Sequence, residues 1–303
     1  MSQTIVNKLI LGGAQLGGTY GLVSQKIGGV EETELYDMLC FLEEKGFAGV
    51  DTARTYSRGE RVLNLANLSQ TKIYTKLPPF SAMKGLQSEP ANFVRHHLQM
   101  SLETLNRNCV HSLSLHGPED LFDDRAKAVF DEIEKLRVSG LVEKIGVSCY
   151  EIDQVINQAK LRGLKFDYFQ HPFNILDQRL SPSKAENLRK ACGVEEIHAR
   201  SALLQGLLAI YPKLPAKFVK WTRWFLRLES LASMYQCSVF ELALLFVFSS
   251  QHIDKVIVGV DSLRQLRELV GALTNDELLA RLEDLKAVEH FEAPAALVDP
   301  RMW

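Results

Sequence analysis

The chain has 303 residues, with 35 Lys+Arg against 37 Asp+Glu for a formal charge of −2, and 46% of it is hydrophobic. That balance excludes the concentrated basic footprint of a nucleic-acid binder, and the apolar fraction describes a globular chain long enough to bury a large core. Length alone fits two domains or one barrel of roughly 250 residues.

The first segment, MSQTIVNKLILGGAQLGG, has no long apolar stretch behind a basic start, so no leader peptide is expected. The most apolar run, Val239 to Phe248, is interrupted by Glu241 and falls short of the roughly 18 residues that span a bilayer. Cys40, Cys109, Cys149, Cys192 and Cys237 are scattered, with no C-x-x-C pair and no nearby His cluster. Such spacing predicts reduced thiols in a cytoplasmic protein without a metal site. Neither a membrane nor a nucleic-acid partner is expected.

In chain order, eight short apolar, β-branched runs recur: 9–14, 48–53, 72–77, 112–116, 144–149, 168–173, 196–201 and 255–260. Their mean spacing of about 35 residues is close to one strand-plus-helix unit of a (β/α)8 barrel. Leu35, Met38, Leu39 and Leu42 form a helical stripe between the first two runs, as do Val94, Leu98, Leu102 and Leu105, then Ile152, Val155, Ile156 and Ala159. The runs themselves are continuous rather than alternating, as in strands covered on both faces. The pattern predicts an α/β fold, a single (β/α)8 TIM barrel over residues 1–303, with an open doubly wound sheet as the alternative.

One interval is long: about 54 positions separate Ser201 from Lys255. It holds Pro212 and Pro215, then Trp221 and Trp224, and helical patterns near 223–236 and 238–249. A long loop at 203–223 and an extra helix after strand seven are expected. Because loops at the carboxyl ends of barrel strands build active sites, this loop is a candidate substrate cover; a packing insertion on the outer wall is the competing reading.

The glycines at 12, 13, 17, 18 and 21 match neither G-x-G-x-x-G nor a P-loop, and read as a tight turn after the first strand. The titratable residues at strand ends say more. Asp51 is read as ending the second strand, with Tyr56 in its loop, Lys76 as ending the third and His116 as ending the fourth. Each alone has a bland reading, as a helix cap, a loop aromatic, a snorkelling lysine and a turn residue. Together they make a proton-transfer set. A tyrosine with an ordinary pKa near 10 is a poor acid at neutral pH. A lysine ammonium about 4 Å away, at an effective dielectric near 20, contributes about 4 kcal/mol toward the phenolate and brings the phenol into working range. Asp51 would keep the lysine charged, and His116 could donate to a substrate carbonyl.

The segments G-V-D-T-A-R-T-Y (49–56), Y-T-K (74–76), L-S-L-H (113–116) and K-I-G-V-S (144–148) resemble the aldo-keto reductase family in order and spacing. The likeness continues through F-D-Y-F-Q-H-P-F-N (166–174), H-A-R-S-A-L-L-Q-G-L-L (198–208) and V-I-V-G-V-D-S-L-R-Q-L (256–266), nearly the whole chain. The resemblance implies a (β/α)8 barrel and NAD(P)H-dependent reduction of an aldehyde or ketone. Asp51, Tyr56, Lys76 and His116 match the catalytic positions, with Tyr56 as general acid. On the cofactor side it implies Gly13 and Ala14 after the first strand, Ser148 and Gln170 at the carboxamide, and Ser201, Leu203 and Gln205 at the pyrophosphate.

Departures from the family pattern are also visible. Cys149 stands where many relatives have Asn, and Arg200 where an aromatic ring often stacks on the nicotinamide; a planar guanidinium can also stack. In the last segment Gly259, Asp261, Ser262, Gln265 and Leu269 align with the adenosine end, while Arg264 and Arg267 are nearby but out of register. An anionic Asp261 there repels a 2′-phosphate, so the implied cofactor is NADP(H), with NAD(H) open. The tail FEAPAALVDPRMW either folds over the substrate pocket through Trp303 or packs on the barrel exterior. The GGAQLGGTYGL opening and DPRMW ending resemble a bacterial branch near surface-sugar pathways, which implies a small-molecule carbonyl substrate such as a sugar or nucleotide sugar. Two other classes stay open: a non-catalytic or weakly catalytic cofactor-binding regulatory subunit on the same fold, and a lyase or isomerase using Lys76 as a Schiff base.

Overall fold

A computed structural model describes residues 5–18, 29–56, 58–65, 71–84, 89–117, 119–281, 291 and 293–303. Gly21, the last of the clustered glycines, lies outside the described residues. Eight parallel strands close in sequence order into one barrel. They are β1 (Leu9–Gly12), β2 (Gly49–Asp51), β3 (Ile73–Lys76), β4 (Val110–Leu115), β5 (Val142–Ser148), β6 (Tyr168–Pro172), β7 (Glu196–Arg200) and β8 (Lys255–Val258). Pairing of Leu9 with Val256 and Ile10 with Ile257 joins the last strand to the first. Every strand overlaps one of the eight apolar runs, because each has a hydrogen-bonded neighbour on both edges and side chains packed on both faces.

Helices fill the outer ring. In α1 (Glu32–Lys45) the stripe Leu35, Met38, Leu39 and Leu42 is fully buried against the barrel, each side chain contributing roughly 1.5–3 kcal/mol. The helices α2 (Gly59–Leu65), α3 (Pro90–Leu105), α4 (Ala126–Val138), α5 (Ile152–Arg162) and α6 (Pro182–Cys192) follow in turn. After β7 the loop contains a short α7 (Leu207–Ile210) and a 3-10 turn (Ala216–Trp221), then α8 (Thr222–Met234) and α9 (Val239–Ser249). The helical patterns expected near 223–236 and 238–249 are α8 and α9, while the stretch 203–223 expected as a loop also carries the short α7 and the 3-10 turn. Helix α9 packs on β8 and on α10 (Leu263–Leu273), the wall position, which makes α8 the added helix. Glu241, which interrupts the apolar run, closes a capping box with Ser238 at the start of α9.

The barrel is filled rather than hollow. Ile10, Tyr74 and Tyr168 cluster in its interior with Ile257 beside them. Tyr168 bonds Ser112 Oγ at 2.8 Å and stacks on His198 at 4.6 Å, and His198 Nε2 lies 3.0 Å from Glu196. Gly146 makes room for this layer, since a Cβ there would sit 2.2 Å from the Tyr168 ring. No disulfide joins the five cysteines. Among the described residues no single helix is long and apolar enough to cross a membrane.

Candidate active site

Because all eight strands run the same way, their carboxyl ends form one rim, and a cavity of about 710 Å³ opens there. Asp51 is the last residue of β2, Lys76 the last of β3, Ser148 the last of β5 and Arg200 the last of β7; His116 directly follows β4. Strand register sets their heights: Gly12 pairs with Asp51, and Ser148 with Gln170. All of them, with Tyr56, line the cavity.

Lys76 and Asp51 form the buried charge at its floor. The ammonium lies 2.6 Å from each carboxylate oxygen and 3.0 Å from the Thr52 carbonyl. Gln170 reaches across the barrel from β6 and donates its Nε2 to Asp51 Oδ1 at 2.7 Å. The Lys76 ammonium stands 5.4 Å from the Tyr56 ring centroid. His116 meets the same ring edge-on at 5.4 Å. Burial first, then the charges of Lys76 and Arg200, push the His116 imidazole down to about 3, so it is neutral at working pH. Its Nδ1 lies 3.1 Å from Thr55 Oγ1. If Thr55 donates to Nδ1, the proton sits on Nε2, available to a carbonyl oxygen.

The loop carrying Tyr56 is tied down from outside the barrel. Arg54, two residues before it, pairs with buried Glu60 of α2 at 2.6 Å. Glu60 also accepts from Thr75 of β3 and Ser101 of α3, each at 2.7 Å. One carboxylate thus joins the loop, a barrel strand and the next helix. Nothing in the local sequence marks Glu60, because two of its partners lie on distant elements.

A nicotinamide dinucleotide fits the residues that remain. Gln170 Oε1 is buried without a hydrogen-bond partner, an acceptor suited to a carboxamide N–H. Ser148 lines the cavity beside it. Gly13 permits close approach at the end of β1, where a Cβ would lie 2.6 Å from the Asp51 carbonyl oxygen. Past β7 the backbone adopts left-handed conformations at Ser201, Leu204, Gln205 and Gly206, strain of the kind that concentrates at functional turns. The turn follows no glycine pattern, so only its place after the strand could have signalled it.

Of the residues assigned to the cofactor from sequence, Gly13, Ala14, Ser148, Gln170, Arg200, Ser201, Leu203, Gln205, Gly259 and Gln265 all line the cavity. Ser262 stands apart: it is not on the cavity wall, and its hydroxyl caps α10 by accepting from the Gln265 N–H. Arg264, placed out of register from sequence, lines the cavity with Asp261 and Glu268, and pairs with Glu268 at 2.8 Å. Positions 264, 265 and 268 share one face of α10, a signal that would have found it. Cys149 is buried in the core and off the cavity. Sequence reasoning also missed Gln15, Tyr150 and Arg301, which line it. Trp221, Trp224 and Trp303 do not. Trp303 packs on Phe218 of the β7 insertion at 4.8 Å, and Arg301 is the tail residue that enters the site.

A closed (β/α)8 barrel that gathers Asp51, Tyr56, Lys76 and His116 at its carboxyl rim has the architecture of the barrel oxidoreductases. A sequence profile of the aldo/keto reductase family matches residues 8–287, and the chain belongs to that family. Among solved structures, the chain is similar to aldo-keto reductase AKR11C1 from Bacillus halodurans in its holo form, with TM-score 0.68 and 20% identity, covering 98% of this chain and 95% of that one. It is also similar to PA4992 of Pseudomonas aeruginosa, described as an aldo-keto reductase, with TM-score 0.63 and 18% identity over 90% and 91% of the two chains. At these identities the likeness is one of fold. No curated sequence matches the chain.

Proposed function

We propose that this chain reduces an aldehyde or ketone to an alcohol with NADPH or NADH, with Tyr56 as the general acid. The observation that carries this reading is the stacked order of charges: a buried Lys76–Asp51 pair, the Tyr56 ring 5.4 Å from the ammonium, and a neutral His116 against the same ring. When bound, a reduced nicotinamide supplies the hydride. Gln170 Oε1 and Ser148 would hold its carboxamide, and the Ser201–Gln205 turn would take the diphosphate. The substrate oxygen lies between the Tyr56 hydroxyl and His116. Tyr56 gives its proton to the developing alkoxide, Lys76 stabilises the resulting phenolate, and Asp51 holds Lys76 in line.

A Schiff-base role for Lys76 is disfavoured, since three acceptors already surround the ammonium. A binding-only role leaves the alignment of tyrosine, lysine and histidine without a purpose. The substrate carbonyl belongs to a small molecule, a sugar or nucleotide sugar among them.

The test is a Tyr56→Phe variant assayed by calorimetric titration with NADPH and NADH and by turnover of an aldehyde panel. Cofactor affinity within about threefold of the parent, with turnover reduced by at least about a thousandfold, is the expected result. Equal turnover by parent and variant overturns the proposal.

A further inference from the structure

The ring of Tyr150 carries two guanidiniums. Arg200 stands with Cζ 4.2 Å from the ring centroid and donates Nη1 to the phenol oxygen at 3.2 Å. Arg301, from the far end of the chain, has its Cζ 3.8 Å from the same centroid. All three residues line the cavity that holds Tyr56 and His116.

Two like charges on one ring repel, so the arrangement calls for counter-charge. Arg301 has it: Nε and Nη2 make a fork with Asp299 at 2.9 and 2.6 Å, and Nη2 reaches Glu151 at 3.2 Å. Its Nη1 makes no hydrogen bond among the described residues. Arg200 has no carboxylate partner among the described residues, its Nε is buried without a hydrogen bond, and its side-chain bond goes to a neutral phenol. The other cavity cations are matched, Lys76 by Asp51 and Arg264 by Glu268. Arg200 is thus the cation left over, close enough to His116 to disfavour its protonation.

We infer that the substrate carries an anionic group, a carboxylate or a phosphate, that docks on Arg200 and Arg301 while its carbonyl faces Tyr56 and His116. The inference rests on the reductase reading above and adds the substrate class. A guanidinium presents its N–H groups at its edge and its plane to a ring. With one face of Arg200 on Tyr150, its edge can bind the anion. Tyr150 holds the two cations in register, and the Asp299 fork fixes Arg301 against the ring.

The test compares neutral and anionic aldehydes of like shape: 4-nitrobenzaldehyde with 4-carboxybenzaldehyde, and glyceraldehyde with glyceraldehyde 3-phosphate. In the parent, kcat/KM is expected to favour the anion in at least one pair, and the larger preference identifies carboxylate or phosphate. Arg200→Met and Arg301→Gln are each expected to lower that ratio about tenfold or more, chiefly through KM. Changes in cofactor affinity act on both members of a pair and cancel in the ratio. Should a variant fail to fold, the parent suffices: raising ionic strength from about 0.02 to about 0.5 M is expected to raise KM for the anion several-fold and leave the neutral aldehyde level. Turnover of neutral aldehydes with no preference for either anion, or an unchanged ratio in folded variants, overturns this inference alone. No turnover of any of the four overturns the reductase reading and this inference with it.

Discussion

The Lys76 ammonium is held by both oxygens of Asp51 at 2.6 Å, and both side chains are buried. Removing one partner of such a pair strands a charge, which typically costs about 3–5 kcal/mol, whereas replacing both with apolar groups is often neutral. Lys76→Met is therefore expected to lower the melting temperature by several degrees and to abolish turnover. The double variant Lys76→Met with Asp51→Leu is expected to regain most of the melting temperature and none of the activity. Thermal denaturation beside initial rates checks this. Activity returning with stability would make the pair a structural element only.

His116 sets the shape of the pH profile. Its imidazole is pushed down to about 3 by burial and by the charges of Lys76 and Arg200, so it does not titrate between pH 5 and 8. The expected kcat/KM for reduction therefore carries no limb from the imidazole across that interval. In a folded His116→Gln variant the amide still donates a hydrogen bond, so it should retain more activity than His116→Ala. A rate limb near pH 6.5 in the parent, absent from His116→Gln, would mean that the imidazole works in its charged form.

The barrel and the gathering of Asp51, Tyr56, Lys76 and His116 at its rim were legible because both follow from local pattern. Apolar runs mark strands buried on two faces, and Asp51, Lys76 and His116 fall at or directly after the ends of strands. The long interval after Ser201 was legible as an insertion with helices near 223–236 and 238–249, but α7 and the 3-10 turn inside 203–223 were not, since Pro212 and Pro215 punctuate that stretch while its short turns are set by packing. Arg301 was invisible, because nothing near the carboxyl terminus says that the tail runs back to Tyr150. Ser262 and Arg264 exchanged places for a simpler reason. Alignment by motif ignored the start of α10, where a serine satisfies a backbone N–H and the next helical face turns its side chains to the cavity.

Glu60 offers a test of positioning at a distance. Its carboxylate accepts from Arg54, Thr75 and Ser101, and so anchors the loop that carries Tyr56. Glu60→Gln points an amide N–H₂ at donors and leaves Arg54 without its partner. The expected outcome is a melting temperature lower by several degrees and kcat reduced about tenfold or more, with calorimetric NADPH affinity within about threefold of the parent. Glu60→Asp, which keeps the charge, is expected to recover part of kcat. Equal losses in kcat and cofactor affinity would show a general loosening of the barrel instead.

His97 is expected to weaken the fold in acid. It lies on α3 with its ring edge-on to Phe93 at 4.6 Å, and both ring nitrogens are buried without a hydrogen bond. Burial first, then His96 and Arg54, push its imidazole down to about 4. The folded chain therefore rejects a proton that the unfolded chain accepts at the ordinary value near 6.5. Stability from this residue is complete above that value and declines as pH falls from 6.5 toward 4. His97→Phe removes the titration and the unsatisfied nitrogens, and its ring can keep the edge contact with Phe93. The expected result is a variant slightly more stable than the parent at pH 7.5, by on the order of 1 kcal/mol, with a margin that widens at pH 5. Denaturant midpoints at the two pH values measure it. A margin that stays constant with pH would show that His97 titrates alike in the folded and unfolded chains.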